Sequence, residues 1–179
     1  MNTAVLVIDV QRAIFDPSPN GRPFEADEVV QRINALTTRA RAQHVPVAFI
    51  QHQTEDGDFV PQSEGWELEK NLVIGPNDAI VAKKTPDSFL RTTLGDWLKE
   101  HQVKRVVICG AVTEFCVDTT TRSAAAHGYD VILAADAHTT SDREHASAAL
   151  IRTHHNATLQ NVDSFDGKIS AVDSADINF

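Results

Sequence analysis

Short apolar runs alternate along the chain with segments that are apolar on one helical face only. Residues 5–8, Val-Leu-Val-Ile, form an unbroken apolar run, as a strand buried on both faces requires. Residues 27–43 repeat Val29, Ile33, Leu36 and Ala40 at helical spacing, and residues 45–50 form a second apolar strand. A third strand at 79–82 follows the turn-rich Gly75-Pro76-Asn77-Asp78. Residues 88–100 place Leu90, Leu94, Trp97 and Leu98 on one stripe, which predicts a helix. A strand at 105–110, a helix at 114–127 stopped by Gly128, and a strand at 131–134 follow. Ser141 and Glu144 form a capping-box pattern that predicts a helix over 141–153, and a sixth strand is expected at 157–162.

Strands separated by single helical segments imply right-handed crossovers. The expected fold is α/β: a three-layer, doubly wound, mostly parallel six-stranded sheet with helices on both faces. One interval, 51–78, breaks the rhythm with Gly57, Pro61, Gly65 and Pro76. A connection of that length is usually functional, and it reads as a pocket wall or lid with a short helix near 64–72.

Composition narrows the function. The chain has 179 residues, 42% hydrophobic and 23% charged, which suits one folded domain over 1–179. A net charge of -9 argues against nucleic acid and anionic membranes as partners, because both need a cationic surface. The apolar run at 4–8 is too short to span a bilayer and lacks the cationic start of a signal peptide, so a cytoplasmic location with reduced thiols is expected. No Gly-rich phosphate-binding sequence follows any strand. Cys109 and Cys116 are the two cysteines, with neither zinc-knuckle nor redox-pair spacing, so each is either inert filler or chemically active.

Ligands of open parallel sheets bind beyond the carboxyl ends of the strands. Strand one ends at Asp9, strand three at Lys83, and strand four at Cys109-Gly110, with Cys116 opening the next helix. Taken singly, Asp9 also fits a turn residue, Lys83 a solvated strand end and Cys116 a small buried hydrophobe. Together they offer a base, an ammonium and a nucleophile at one edge, with N–H groups in the turn 110–116 available to an oxyanion. Cys109, inside an apolar run, reads as core filler.

The motifs at these three places resemble those of the isochorismatase-like cysteine hydrolases. Val7-Ile8-Asp9-Val10-Gln11 is similar to the family's opening motif, and Lys83-Lys84-Thr85-Pro86-Asp87-Ser88-Phe89 to its lysine motif. Gly110-Ala111-Val112-Thr113-Glu114-Phe115-Cys116-Val117 is similar to its nucleophile turn, with Gly128-Tyr129 and Asp136-Ala137-His138 following in order. The resemblance implies a catalytic triad of Asp9, Lys83 and Cys116. It also implies a cis peptide between Ala111 and Val112, and an oxyanion hole from the N–H groups of Val112 and Cys116. The resemblance also picks Lys83 over Lys84, and only one of the two can line the site because strand neighbours point to opposite faces.

The departures matter as well. Members that hydrolyse nicotinamide carry Asp-x-His after strand two, whereas this chain reads Gln51-His52-Gln53 and has no further His up to residue 100. No metal and no cofactor are therefore expected. Members that open the vinyl ether of isochorismate lack the cysteine, so hydrolysis of a C–N bond in a small molecule is the favoured activity. A branch that includes streptothricin-lactam hydrolases has a similar long loop. The alternatives are a vinyl-ether hydrolase, a non-catalytic binding protein on the same fold, and an aspartyl phosphatase, which would want Asp where Gln11 stands. Gln11, Phe15, His52, Trp66, Phe89 and Phe115 are the candidate substrate-binding residues, although aromatics are more often core packing. The remaining histidines are expected at the surface, and the family's habits imply a homo-oligomer.

Overall fold

The structure is a computed structural model, and it describes residues 2–19 and 21–179. Strand β1 (Thr3–Ile8) is buried along its whole length, as its unbroken apolar sequence demands. It is paired on one side with β2 (Val47–His52) and on the other with β4 (Arg105–Ala111), both parallel. With β3 (Ala79–Lys83), β5 (Asp130–Thr139) and β6 (Ile169–Val172), the described strands form a six-stranded sheet in the order β3-β2-β1-β4-β5-β6. All pairings between these strands are parallel. The chain winds outward from β1 to β3 and then restarts on the far side of β1 at β4. The order therefore reverses between β1 and β4, which opens a crevice beyond their carboxyl ends.

Alternate strand residues feed two cores. Val5, Val7, Phe49, Val107 and Cys109 pack with the single turn α1 (Arg12–Phe15) and the long α2 (Ala26–Ala42) through Phe15, Val29, Ile33 and Leu36. Leu6, Ile8, Ile50, Val106 and Ile108 pack on the other face with α3 (Leu94–Glu100), α4 (Asp118–Ala126) and α5 (Ala148–Leu159). Gly110 is required where β4 passes β1. It has φ 116, and a Cβ there would lie 2.1 Å from the Ile8 carbonyl oxygen.

Four expected elements are corrected. The helix expected at 88–100 begins only at Leu94. The Ser88 N–H donates to Thr120 Oγ1 and the Phe89 N–H to Asp87 Oδ1, so side chains take the donors a first turn would use. The helix expected at 141–153 is α5, capped by Ser147, whose Oγ accepts from the Leu150 N–H at 3.3 Å. Residues Arg143 and Ala146 bridge each other instead, in a tight turn. Helix α5 consequently consumes Ala157–Leu159 of the expected sixth strand, and β6 forms ten residues later at Ile169. The segment 64–72 is not a helix, because its backbone bonds to the chain after β1. Arg12 N–H donates to Glu67 O, Ala13 N–H to Gly65 O, and Glu69 N–H to Val10 O, each at 2.9 Å.

Candidate active site

The sheet edge delivers three reactive groups to one point. Asp9 follows β1 with φ 49, a left-handed conformation, and is 1% exposed. Lys83 ends β3 and points inward, 2% exposed, while its neighbour Lys84 faces solvent. Cys116 lies in a wide turn of π type, Thr113–Val117, that joins β4 to α4. In that turn the Val117 N–H reaches back to the Val112 carbonyl at 3.2 Å, a widening found often at functional sites. The peptide between Ala111 and Val112 is cis.

Lys83 Nζ is the hub. It donates to Asp9 Oδ2 at 2.6 Å, to the Thr85 carbonyl at 3.1 Å and to Cys116 Sγ at 3.3 Å. His52 Nδ1 stands 3.5 Å away. Asp9 Oδ1 has no hydrogen-bond partner among the described residues. Burial pushes the Asp9 carboxyl up from its ordinary value, and the charge of Lys83 pulls against it. Burial and the Asp9 charge push the Cys116 thiol up to about 12, with Lys83 opposing. The resting centre thus holds a protonated thiol beside the buried Asp9–Lys83 pair. Burial and Lys83 lower His52, so its imidazole is neutral at pH 7. Cys109 is fully buried, and burial raises its thiol as well.

The six candidate pocket residues separate. Gln11 is fully buried and has tying bonds at both ends of its amide. Its Nε2 donates to the His52 and Trp66 carbonyls and its Oε1 accepts from the His52 N–H. Gln51 Nε2 also donates to the Trp66 carbonyl, at 2.8 Å, so two amides hold the long loop against the sheet edge. Phe15 lies wholly in the core under α2. Phe89 is stacked between His127 and Tyr129. His52 sits at the hub with its ring edge-on to Phe59, and Trp66 is partly buried in the loop that the glutamines anchor. Phe115 is 52% exposed, with the Arg143 guanidinium 5.4 Å from its ring centre. It stands on the wall of a cavity of about 600 Å³ that Leu150, Ile151 and His154 also line. Glu114, beside it, pairs with Arg143 and accepts from Thr140 Oγ1.

Three residues, Thr113, His138 and Asn156, received no role in the sequence reading. His138 is fully buried, against the expectation of a surface histidine. It bonds Thr113 Oγ1 through Nδ1 at 2.9 Å and Asn156 Oδ1 through Nε2 at 2.8 Å. The signal available was a histidine at the end of a strand whose middle, residues 131–135, is wholly apolar. Among the described residues no group of three or more His, Cys, Asp or Glu side chains is placed to hold a metal ion. No described helix is long and apolar enough to cross a membrane.

A parallel doubly wound sheet with an acid, a lysine and a cysteine at its switch point defines a class of α/β hydrolytic enzymes. The isochorismatase domain model matches residues 3–164, and the chain belongs to the isochorismatase family. It is 39% identical over 140 residues to a streptothricin hydrolase of Streptomyces noursei, a match that takes in 78% of this chain and 55% of that protein. The chain thus spans little more than half the length of that relative. It is 29% identical over 175 residues to nicotinamidase 3 of Arabidopsis thaliana, across 89% of this chain and 79% of that one. A solved isochorismatase family protein superposes with a TM-score of 0.86 at 32% identity, covering 96% of this chain and 98% of its own.

Proposed function

We propose that the chain is a cysteine amidohydrolase that cleaves a C–N bond of a small molecule through a thioester. The observation that carries this reading is Lys83 Nζ held 2.6 Å from Asp9 Oδ2 and 3.3 Å from Cys116 Sγ in a buried site. A thiol raised to about 12 does not ionise by itself at neutral pH, so the reaction needs a base in place. Asp9, with one oxygen unpartnered, takes the thiol proton as sulfur attacks the carbonyl carbon. Lys83 neutralises the charge that forms between them. The tetrahedral oxyanion accepts hydrogen bonds from the Val112 and Cys116 N–H groups. Asp9 then gives its proton to the departing nitrogen, the C–N bond breaks and the thioester remains. Water attacks the thioester carbon and loses a proton to Asp9; the sulfur leaves and recovers that proton, which regenerates the thiol and releases a carboxylic acid.

His52, Trp66 and Phe115 are the side chains proposed to meet the substrate. The route uses no metal or cofactor. The names of the relatives, a streptothricin hydrolase and a nicotinamidase, support hydrolysis at carbon–nitrogen bonds. The acyl partner is an amide, ureide, carbamoyl compound or lactam, and the acidic chain is expected to work in the cytoplasm as a homo-oligomer. A panel of small amides scored by ammonia release, with Cys116→Ala as the control, tests the assignment. Loss of all turnover above background in that variant is expected, and full retained activity sinks the reading.

A further inference from the structure

The turn that carries Cys116 is not held by backbone bonds alone. Its first residue, Thr113, is fully buried and hydrogen-bonded to His138 Nδ1 at 2.9 Å. His138 lies in β5 opposite Gly110, immediately past the register shift between β4 and β5. Its other nitrogen, Nε2, meets Asn156 Oδ1 of α5 at 2.8 Å. Asn156 Nδ2 donates to the Ala135 carbonyl at 2.9 Å. That last bond fixes the direction of the rest. The amide nitrogen is committed as a donor to a carbonyl, so Oδ1 is the acceptor and His138 Nε2 carries the proton. Nδ1 then has a lone pair and no proton, so the Thr113 hydroxyl donates to it. The imidazole is neutral in this arrangement, and full burial keeps it so by lowering its pKa to about 4.

We infer that the buried relay Thr113–His138–Asn156 positions the nucleophile turn, with His138 as its central positioning residue. Thr113 has two jobs in that turn. Its hydroxyl donates into β5, and its carbonyl accepts from the Asp118 N–H at the start of α4. Fixing Thr113 therefore fixes the path of the four residues that end at Cys116. It holds the thiol toward Lys83, 3.3 Å away, and the Cys116 N–H where the proposed route needs an oxyanion donor. None of the three relay residues touches the reacting atoms. They act through the turn, and the anchor at the far end is a helix on the outside of the sheet. A rigid turn is worth this much machinery because an oxyanion donor displaced by about 1 Å can cost on the order of 10²-fold in rate.

The inference rests on the proposed thioester route, and p-nitrophenyl acetate separates the two. This activated ester acylates a competent cysteine and releases a coloured product whatever the natural substrate is. Thr113→Val keeps the shape of the side chain and deletes the donor. The expected result is an acylation rate at least ten-fold below wild type, with an unchanged circular dichroism spectrum. Thr113→Ser restores the hydroxyl and is expected within about two-fold of wild type. Asn156→Leu cuts the relay at its partly exposed end and is expected to fall in the same direction, which keeps the test available if Thr113→Val does not fold. Wild-type rates in Thr113→Val or Asn156→Leu, or an equal loss in Thr113→Ser, would overturn the inference. A Cys116→Ala protein that acylates as fast as wild type would instead remove the thioester route on which it rests.

Discussion

Asp9 and Lys83 illustrate how far a site departs from what stability alone would choose. Both side chains are almost wholly buried, at 2% and 0% exposure, and their 2.6 Å pair has taken two charges out of water. Breaking such a pair by removing one partner costs about 3–5 kcal/mol, whereas replacing both by apolar groups is often neutral. Lys83→Met and Asp9→Asn are each expected to lower stability in urea unfolding. The double variant is expected to recover most of that loss while staying inactive. A double variant as unstable as the sum of its parents would show that the pair stabilises the fold in its own right. Activity should follow another rule. Each single variant should lose roughly 10²–10⁴-fold, the usual scale for a missing base, and the double should lose no more than the worse single. The placing of Asp9 and Lys83 was legible in the sequence, because each follows or ends an apolar strand and strand ends converge in a parallel sheet, whereas Cys116 sits in the turn after β4. The fates of Gln11 and Phe15 were not legible. A polar amide tied to the Trp66 carbonyl and a ring buried under α2 have the same residue types that pocket walls use.

At the scale of elements, the apolar runs of β1, β2, β4 and β5 identified themselves, since a strand covered on both faces has no polar positions to confuse it. The weak points were helix starts. Ser141 and Glu144 have capping-box spacing, yet the observed cap is Ser147. Asp142 Oδ1 accepts the Ala148 N–H at 2.8 Å, so side chains of the turn and cap together satisfy donors at the head of α5. Two acceptable caps six residues apart cannot be ranked without knowing which one brings Ile151 and Leu159 onto the sheet. This displacement hid the relay as well. With the helix placed at 141–153, Asn156 falls outside it, and His138, although part of the Asp136-Ala137-His138 motif, has no partner assigned to it. Ser147→Ala is expected to cost about 1 kcal/mol in chemical denaturation, whereas Ser141→Ala should change stability by a few tenths at most. Equal costs at the two serines would contradict the cap assignment.

At the scale of the whole molecule, the buried histidine ties folding to pH. An unfolded histidine titrates near 6.5, and His138 in the native state is pushed down to about 4. Between those values the unfolded chain binds a proton that the native chain refuses. Unfolding then takes up protons, so stability is fully present above pH 6.5 and is lost as pH falls toward 4. Two and a half units correspond to roughly 3 kcal/mol for this one residue. His52, also lowered by burial, acts in the same direction. Glu25, lowered chiefly by its hydrogen bond to Arg32, adds its loss only at more acid pH, where carboxylates titrate. Asp9 runs the other way, because burial raises it. Through the window from 6.5 to about 5 the two histidines pull stability down as pH falls, and Asp9 opposes them. Wild-type unfolding free energy, measured by urea titration at half-unit steps, should fall through that window with a slope approaching 1 kcal/mol per unit. His138→Gln removes the titrating ring and should be less stable at pH 7 but markedly flatter across the same range. A variant that keeps the wild-type slope would place the acid sensitivity elsewhere, and would mean that His138 binds its proton as readily in the folded chain as in the unfolded one.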